Sequence, residues 1–344
     1  MGRPSPNKTM HADDLIHRKR NAAFSMSVGD PNDGMPITGM FATEDNLYIL
    51  SNKSIYLVKL ADHIDPDRIN PNLPNLQKKV LNHGSENEIV GRVLLTAKIL
   101  FDKNHLGPNF NYNEALSKAF ELTKLLTEMQ DLHADLNSII YKKVQQGIKI
   151  GKDGSLRLPT ISKFHTSIET FIKKADQVRN IIISYLKLLY NTGTNKRVID
   201  NLYSDIVAKH GSESGLAKFI ENIKCFLIFI RNMRNAIEHP KEDNRALIID
   251  FNLEPNGNVK PPSFELINKD TPLSRISVTL FMEELTSQLT DVVEYLMAHL
   301  CATNMKNSGD FESGIMMLPP ERRRHKNVRF SYVINIQGQW QPLG

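Results

Sequence analysis

Cys225-Phe226-Leu227-Ile228-Phe229-Ile230 runs directly into Arg231-Asn232-Met233-Arg234-Asn235-Ala236-Ile237-Glu238-His239-Pro240. The first part is the most apolar stretch of the chain, and the second is rich in strong polar donors. A helix over Leu216–Glu238 accommodates both, with a buried stem and a polar end. Pro240 stops it, because the residue before a proline is pushed out of the α region. Ending a core helix in charge costs desolvation unless the charges find partners or a ligand.

Working outward, apolar residues recur at helical spacing over most of the chain. Ser85 and Glu88 read as a capping box that opens a helix carrying Ile89, Val93, Ala97 and Leu100. A long helix follows from about Asn113 to Gln146, striped by Leu116, Phe120, Leu126, Met129, Leu136, Ile139 and Val144. A third runs from Thr160 to about Tyr190, and a short one covers Val198–Lys209. Thr271-Pro272 places proline at the favoured first position of a last helix reaching about Ala302.

Strand signals are shorter. Leu47–Leu50 with Ile55–Val58, and Ile148–Ile150 with Leu156–Leu158, read as hairpins. Ile248–Leu253 and Pro262–Ile267 bracket Asn256-Gly257, a strong hairpin turn. Residues 1 to about 40 show no sustained period and read as a mobile arm with one helical turn near Asp14–Arg20. The expected fold is mainly α, a helical bundle with small β-hairpin insertions and a mobile N-terminal arm. Its expected divisions are an arm, hairpin and Pro-rich connection over 1–83, a helical domain over 84–302, and a basic tail with a strand over 303–344.

Composition narrows the function classes. The chain has 344 residues, 40% apolar and 24% charged, which suffices for a real core. The formal charge of +5 permits a polyanionic partner. Cys225 and Cys301 lie in apolar helical stretches and read as buried free thiols. Two cysteines cannot build a disulfide framework or a Cys-based zinc site, and a reducing, cytoplasmic setting fits them. No apolar run has the length to span a bilayer. No cofactor is expected. Gly147 and Gly151 stand too close for a phosphate loop, and Asp153 replaces the Ser or Thr such a loop needs. Asp62, His63, Asp65 and Asp67 lie in a Pro-rich connection and read as turn residues.

The chemistry that suits the end of the apolar helix is RNA phosphodiester cleavage. The planar fork of Arg234 matches a phosphate and can stabilise charge building on its oxygens. His239 can take a proton from a 2′-hydroxyl or give one to a leaving oxygen. Asn235 can hydrogen-bond a phosphate, and no metal is needed when the 2′-hydroxyl is the nucleophile. Helix chemistry alone offers another account. Arg234 and Glu238 are four apart, so a surface ion pair explains both. A histidine near a helix end complements the dipole, and five residues put Arg234 and His239 about 140° apart on an ideal helix.

Arg234-Asn235-Ala236-Ile237-Glu238-His239 resembles the motif of the HEPN superfamily: Arg, a polar residue commonly Asn, three residues, then His. The resemblance implies a helical bundle and a metal-independent endoribonuclease, working as a homodimer with the two motifs facing across a cleft. Many such proteins are toxins or antiviral defence effectors, so an antitoxin or regulatory protein is an implied partner. Arg234 would bind the scissile phosphate, Asn235 would orient it and His239 would be the acid/base. Arg231 and Glu238 would contact the RNA beside them. The basic run Arg322, Arg323, Arg324 and Lys326 would track its backbone, or else form a solvated tail. Some relatives lack activity and serve as scaffolds or nucleotide-binding modules.

Overall fold

The computed structural model describes residues 36–43, 46–70, 72–108, 110–147, 149–190, 198–306 and 311–343, with 18, 20, 28 and 29. It separates into two compact units, Met1–Glu88 and Ile89–Gly344.

The first unit is an antiparallel meander in the order β1-β2-β3-β4. Its strands are β1 (Ile37–Thr43), β2 (Asn46–Ser51), β3 (Ile55–Lys59) and β4 (Leu76–Leu81). The inner pair matches the hairpin expected from the sequence, with Leu47 opposite Val58 and Leu50 opposite Ile55. The outer strands were not legible. β4 is edge-exposed over Leu76–Lys79 and carries Lys78 and Lys79, as edge strands that resist further pairing do. β1 bends by a register shift between Ile37 and Gly39, which hides its alternation. It also replaces the last part of the expected mobile arm, whose proposed helical turn lies mostly outside the described residues. Phe41 stacks on Tyr48 with ring centroids 4.8 Å apart. One helical turn, α1 (Ala61–Ile64), follows β3. Asp65 then accepts from the amides of Ile69 and Asn70, both at 2.9 Å, and from Arg20 at 2.7 Å. Those bonds make Asp65 a turn residue, as expected of this Pro-rich stretch.

The second unit is built on six helices. A π-helical segment (Val90–Leu95) leads into α2 (Thr96–Leu100). Then come α3 (Tyr112–Gln145), α4 (Phe164–Lys187), α5 (Val198–His210), α6 (Gly215–Glu238) and α7 (Val278–Asn304). α3 packs on α4 and α7, and α6 packs on the same two, so these four helices enclose one core. Phe171, Ile182, Leu126, Leu227, Leu289 and Met297 are fully buried within it. α3 begins a residue earlier than expected because Asn111 caps it, accepting from the Glu114 amide at 3.2 Å. Its stripe is buried through Ile140, but Ile139 and Val144 are exposed.

Strands join this core at several points. β5 (Lys149–Ile150) and β6 (Leu156–Arg157) form the small hairpin expected between α3 and α4. β7 (Asn244–Ile249), β10 (Ser263–Asn268) and β11 (Leu273–Ser277) form a sheet in the order β11-β10-β7. The loop between β7 and β10 contains the ladder β8 (Asn252–Leu253) with β9 (Val259–Lys260). β12 (Ser313–Met317), β13 (Phe330–Ile336) and β14 (Gln339–Pro342) form a third antiparallel sheet, and β13 packs against α2.

The chain is therefore mixed α/β, about 49% helix and 23% strand, and the expectation of a mainly α, all-α fold is corrected. The strands have two to seven residues, too few for most of them to register as periodic. Pro272 contributed a specific error. The last helix starts only at Val278, and Pro272 directly precedes β11. There Arg275 pairs across the sheet with Glu265 at 2.9 Å, and Leu273 lies opposite Leu266, so tertiary pairing overrides the local helix signal.

One buried ionic group ties three of these elements together. Glu294 of α7 is fully buried and accepts from Arg92 of the π segment at 2.8 Å and from Arg329, before β13, at 2.9 Å. Asp291, one turn earlier, also accepts from both arginines, Arg329 at 3.1 Å. Gly91 is needed beside Arg92, because a Cβ there would lie 2.3 Å from Cβ of Asn327.

Candidate active site at the end of helix α6

α6 starts on Ser214, whose side chain accepts from the amide of Ala217 at 3.3 Å. Leu216, Ile220, Ile223, Leu227, Ile230, Met233 and Ala236 recur at three- and four-residue steps and are buried. The opposite face is open, and Cys225 lies on it. Cys225 is exposed, which corrects the reading of a buried thiol; only Cys301 is buried. An apolar neighbourhood in sequence does not place a residue on the apolar face of a helix.

The helix ends at Glu238, and His239 leaves it with φ −137° and ψ 62°. Its amide still donates to the carbonyl of Asn235 at 2.8 Å. The unwinding falls at the residue before Pro240, where the proline demands it. His239 is exposed and shares with Asn235 the wall of an open hollow of about 330 Å³. Lys241, Asp243, Asn244, Asn268 and Lys269 complete that wall. Two lysines against one aspartate give the hollow a positive balance.

The hollow is held by the β7–β10 pair. Asn268, the last residue of β10, donates to Asn244 Oδ1 at 3.0 Å, fixing the two strand ends. Its own Oδ1 accepts from the Thr271 amide at 2.8 Å. The Thr271 hydroxyl accepts from Asn232 of α6 at 2.9 Å. The motif helix and the strand ends that face it are thus one hydrogen-bonded frame. Lys241 and Asn244 close the connecting turn by reciprocal backbone bonds of 2.9 and 3.3 Å.

Arg234 is placed differently. It forms an ion pair with Glu238 and a 3.5 Å contact to Asn235 Oδ1, and it does not line the hollow. Its side chain remains 38% exposed, so this pairing is solvated. The structure therefore brings Asn235 and His239 together and turns Arg234 toward the carboxylate that helix spacing assigns to it. Arg231 stands one turn before and lines a separate cavity with Arg179.

No protein-family model, curated protein or solved structure matches this chain.

The basic run near the C-terminus is not one uniform surface. Arg323 is engaged with backbone, donating to the carbonyls of Leu318 at 2.8 Å and Lys326 at 3.3 Å. Arg322 donates to the Trp340 carbonyl at 3.3 Å yet stays exposed, as do Arg324 and Lys326. Arg322 and Arg324 line a hollow of about 270 Å³ floored by Val328 and Phe330. Among the described residues, no group of three or more His, Cys, Asp or Glu side chains could hold a metal ion. No described helix is long and apolar enough to cross a membrane.

Sequence reasoning missed Lys241, Asn244, Asn268 and Lys269 at the hollow. The available signal was the pair of polar strand ends flanking the Asn256-Gly257 hairpin, which any hairpin brings together.

Proposed function

We propose that this protein is an endoribonuclease of the HEPN type that cleaves RNA by 2′-hydroxyl attack, without metal, as a homodimer. The observation that supports this reading most is the sharing of one lysine-flanked hollow by Asn235 and His239. In the proposed step the 2′-oxygen bonds to the adjacent phosphorus and the bond to the 5′-oxygen breaks. His239 removes the 2′-proton or supplies one to the leaving 5′-oxygen. Asn235 orients the phosphate, and Lys241 and Lys269 add positive charge around it. Arg234 exchanges Glu238 for a phosphate oxygen when RNA arrives, a swap that a half-exposed ion pair permits at little cost. Exposed Arg322, Arg324 and Lys326 hold more of the strand by its phosphates. The proposed setting is cytoplasmic, with a toxin or antiviral role and an antitoxin or regulator as partner.

The deciding experiment incubates purified protein with total RNA and EDTA. Fragments ending in 2′,3′-cyclic phosphate, or its hydrolysed form, are expected. A strict magnesium requirement overturns the mechanism. The Arg234–Glu238 pair favours a second reading, in which the motif is closed by its own carboxylate and the protein is a non-catalytic dimeric scaffold or nucleotide-binding module. Intact RNA after incubation with a folded dimer is the result that reading requires.

A further inference from the structure

A cavity of about 570 Å³ lies between α4, α5 and α6, within the size range of small-ligand sites. Its polar wall is made by Arg179, Asn180, Ser184, Lys187, Asp200 and Arg231. Arg179 is nine-tenths buried, and its Nε donates to the Leu227 carbonyl at 2.9 Å. Nη1 donates to Asn180 Oδ1 at 2.9 Å and faces Asp176 at 3.5 Å. Burial lowers the pKa of Arg179; Asp176 opposes that, and the charge of Arg231 adds to it. The two guanidinium groups thus repel one another across the cavity wall. The Arg231 side chain has no ion pair or hydrogen bond among the described residues. The carboxylate in the wall, Asp200, is held by Lys224, which leaves the balance positive.

Two neighbouring guanidinium groups, with the wall's carboxylate already paired to Lys224, are relieved by an anion, and a planar fork suits a phosphate oxygen pair. Arg231 and Asn235 are four apart on α6, so they share a face about 6 Å apart along the axis. The cavity and the His239 hollow are therefore successive stations on one helix. We infer that this cavity binds a phosphate of an RNA strand that flanks the link being cut, gripped by Arg179 and Arg231. The inference deepens the ribonuclease reading and rests on it for the identity of the strand. Lys187 widens the positive field, and Asn180 holds the Arg179 guanidinium in place by accepting from it.

The test uses the full chain and a fluorescent single-stranded 2′-O-methyl RNA, which cannot undergo 2′-attack, titrated by anisotropy at several NaCl concentrations. Arg231→Ala should weaken binding and lower the log–log salt slope by about 0.7, one single-strand phosphate contact. Arg231→Lys should keep the slope but lose affinity with the fork, and Lys187→Gln should shift both less. Lys142→Gln removes an exposed charge of α3 outside the cavity and should change nothing. Equal effects of Arg231→Ala and Lys142→Gln overturn the site, as does an unchanged slope in Arg231→Ala. Binding of 5′-AMP through Arg231 as tight as that of the oligonucleotide overturns the assignment to a strand. Cleavage of unmodified RNA is followed in parallel. Wild-type cleavage with unchanged binding in Arg231→Ala defeats the cavity alone. Absent cleavage with binding still weakened by Arg231→Ala supports the cavity and defeats only the ribonuclease step.

Discussion

The protein pairs arginine with carboxylate in two contrasting ways. Around Glu294, two arginines from distant parts of the chain converge on a fully buried carboxylate. At the end of α6, Arg234 meets Glu238 one turn away in a half-exposed pair. The first group joins the π segment, α7 and the approach to β13, and its central carboxylate, Glu294, has no water to turn to. The second joins nothing beyond its own helix, and water competes for both partners. Pairing of this residue type is thus fixed where it is buried and exchangeable where it is exposed. Only the exchangeable kind can hand a guanidinium to a substrate.

That contrast can be broken by experiment. The largest effect is expected at the exposed end. His239→Ala and Arg234→Ala should each slow RNA cleavage by about 10²–10⁴-fold, the usual loss for a positioned acid/base, with melting temperature nearly unchanged. Cleavage at the wild-type rate in either variant places the chemistry elsewhere.

Stability should behave in the opposite way. Glu294→Ala leaves Arg92 and Arg329 without their shared buried partner, and about 3–5 kcal/mol of stability should be lost in denaturant unfolding. A loss under about 1 kcal/mol would make the buried group as replaceable as a surface pair.

The basic run sharpens the comparison further, since Arg323 is engaged and its neighbours are not. Replacing Arg322, Arg324 and Lys326 by Gln should lower the RNA salt slope by up to about 2, at about 0.7 per phosphate contact. Arg323→Gln should instead act on thermal stability. The reverse assignment would show that the run is organised in another way.

The smallest effect concerns pH. His299 stacks on Phe219 at 4.8 Å, and burial lowers its pKa below the ordinary 6.5. The unfolded chain therefore binds a proton more readily, so stability rises with pH toward 6.5 and is lost progressively below it. His299→Gln should flatten this acid-side slope in melts between pH 5 and 7.5. A slope that is unaltered assigns the acid sensitivity to other groups.

The sequence by itself determined the long helices and the place where α6 stops. Leu216 to Ala236 carry a one-sided apolar period, and Pro240 forbids the helix from passing Glu238, so both are local facts. The Arg234–Glu238 pair was legible for the same reason, since helix geometry alone brings residues four apart together. Tertiary structure decided what faces the motif. Asn244 and Asn268 meet because β7 and β10 pair in register, and Arg179 meets Arg231 because α4 packs on α6. Helical periodicity ran from about residue 85 to 302, yet β11 formed where Pro272 suggested a helix, because Leu273 and Arg275 gained partners on β10. Short strands and charged clusters depend on partners supplied from far along the chain. Helix periodicity and helix stops are written within a few residues of where they act.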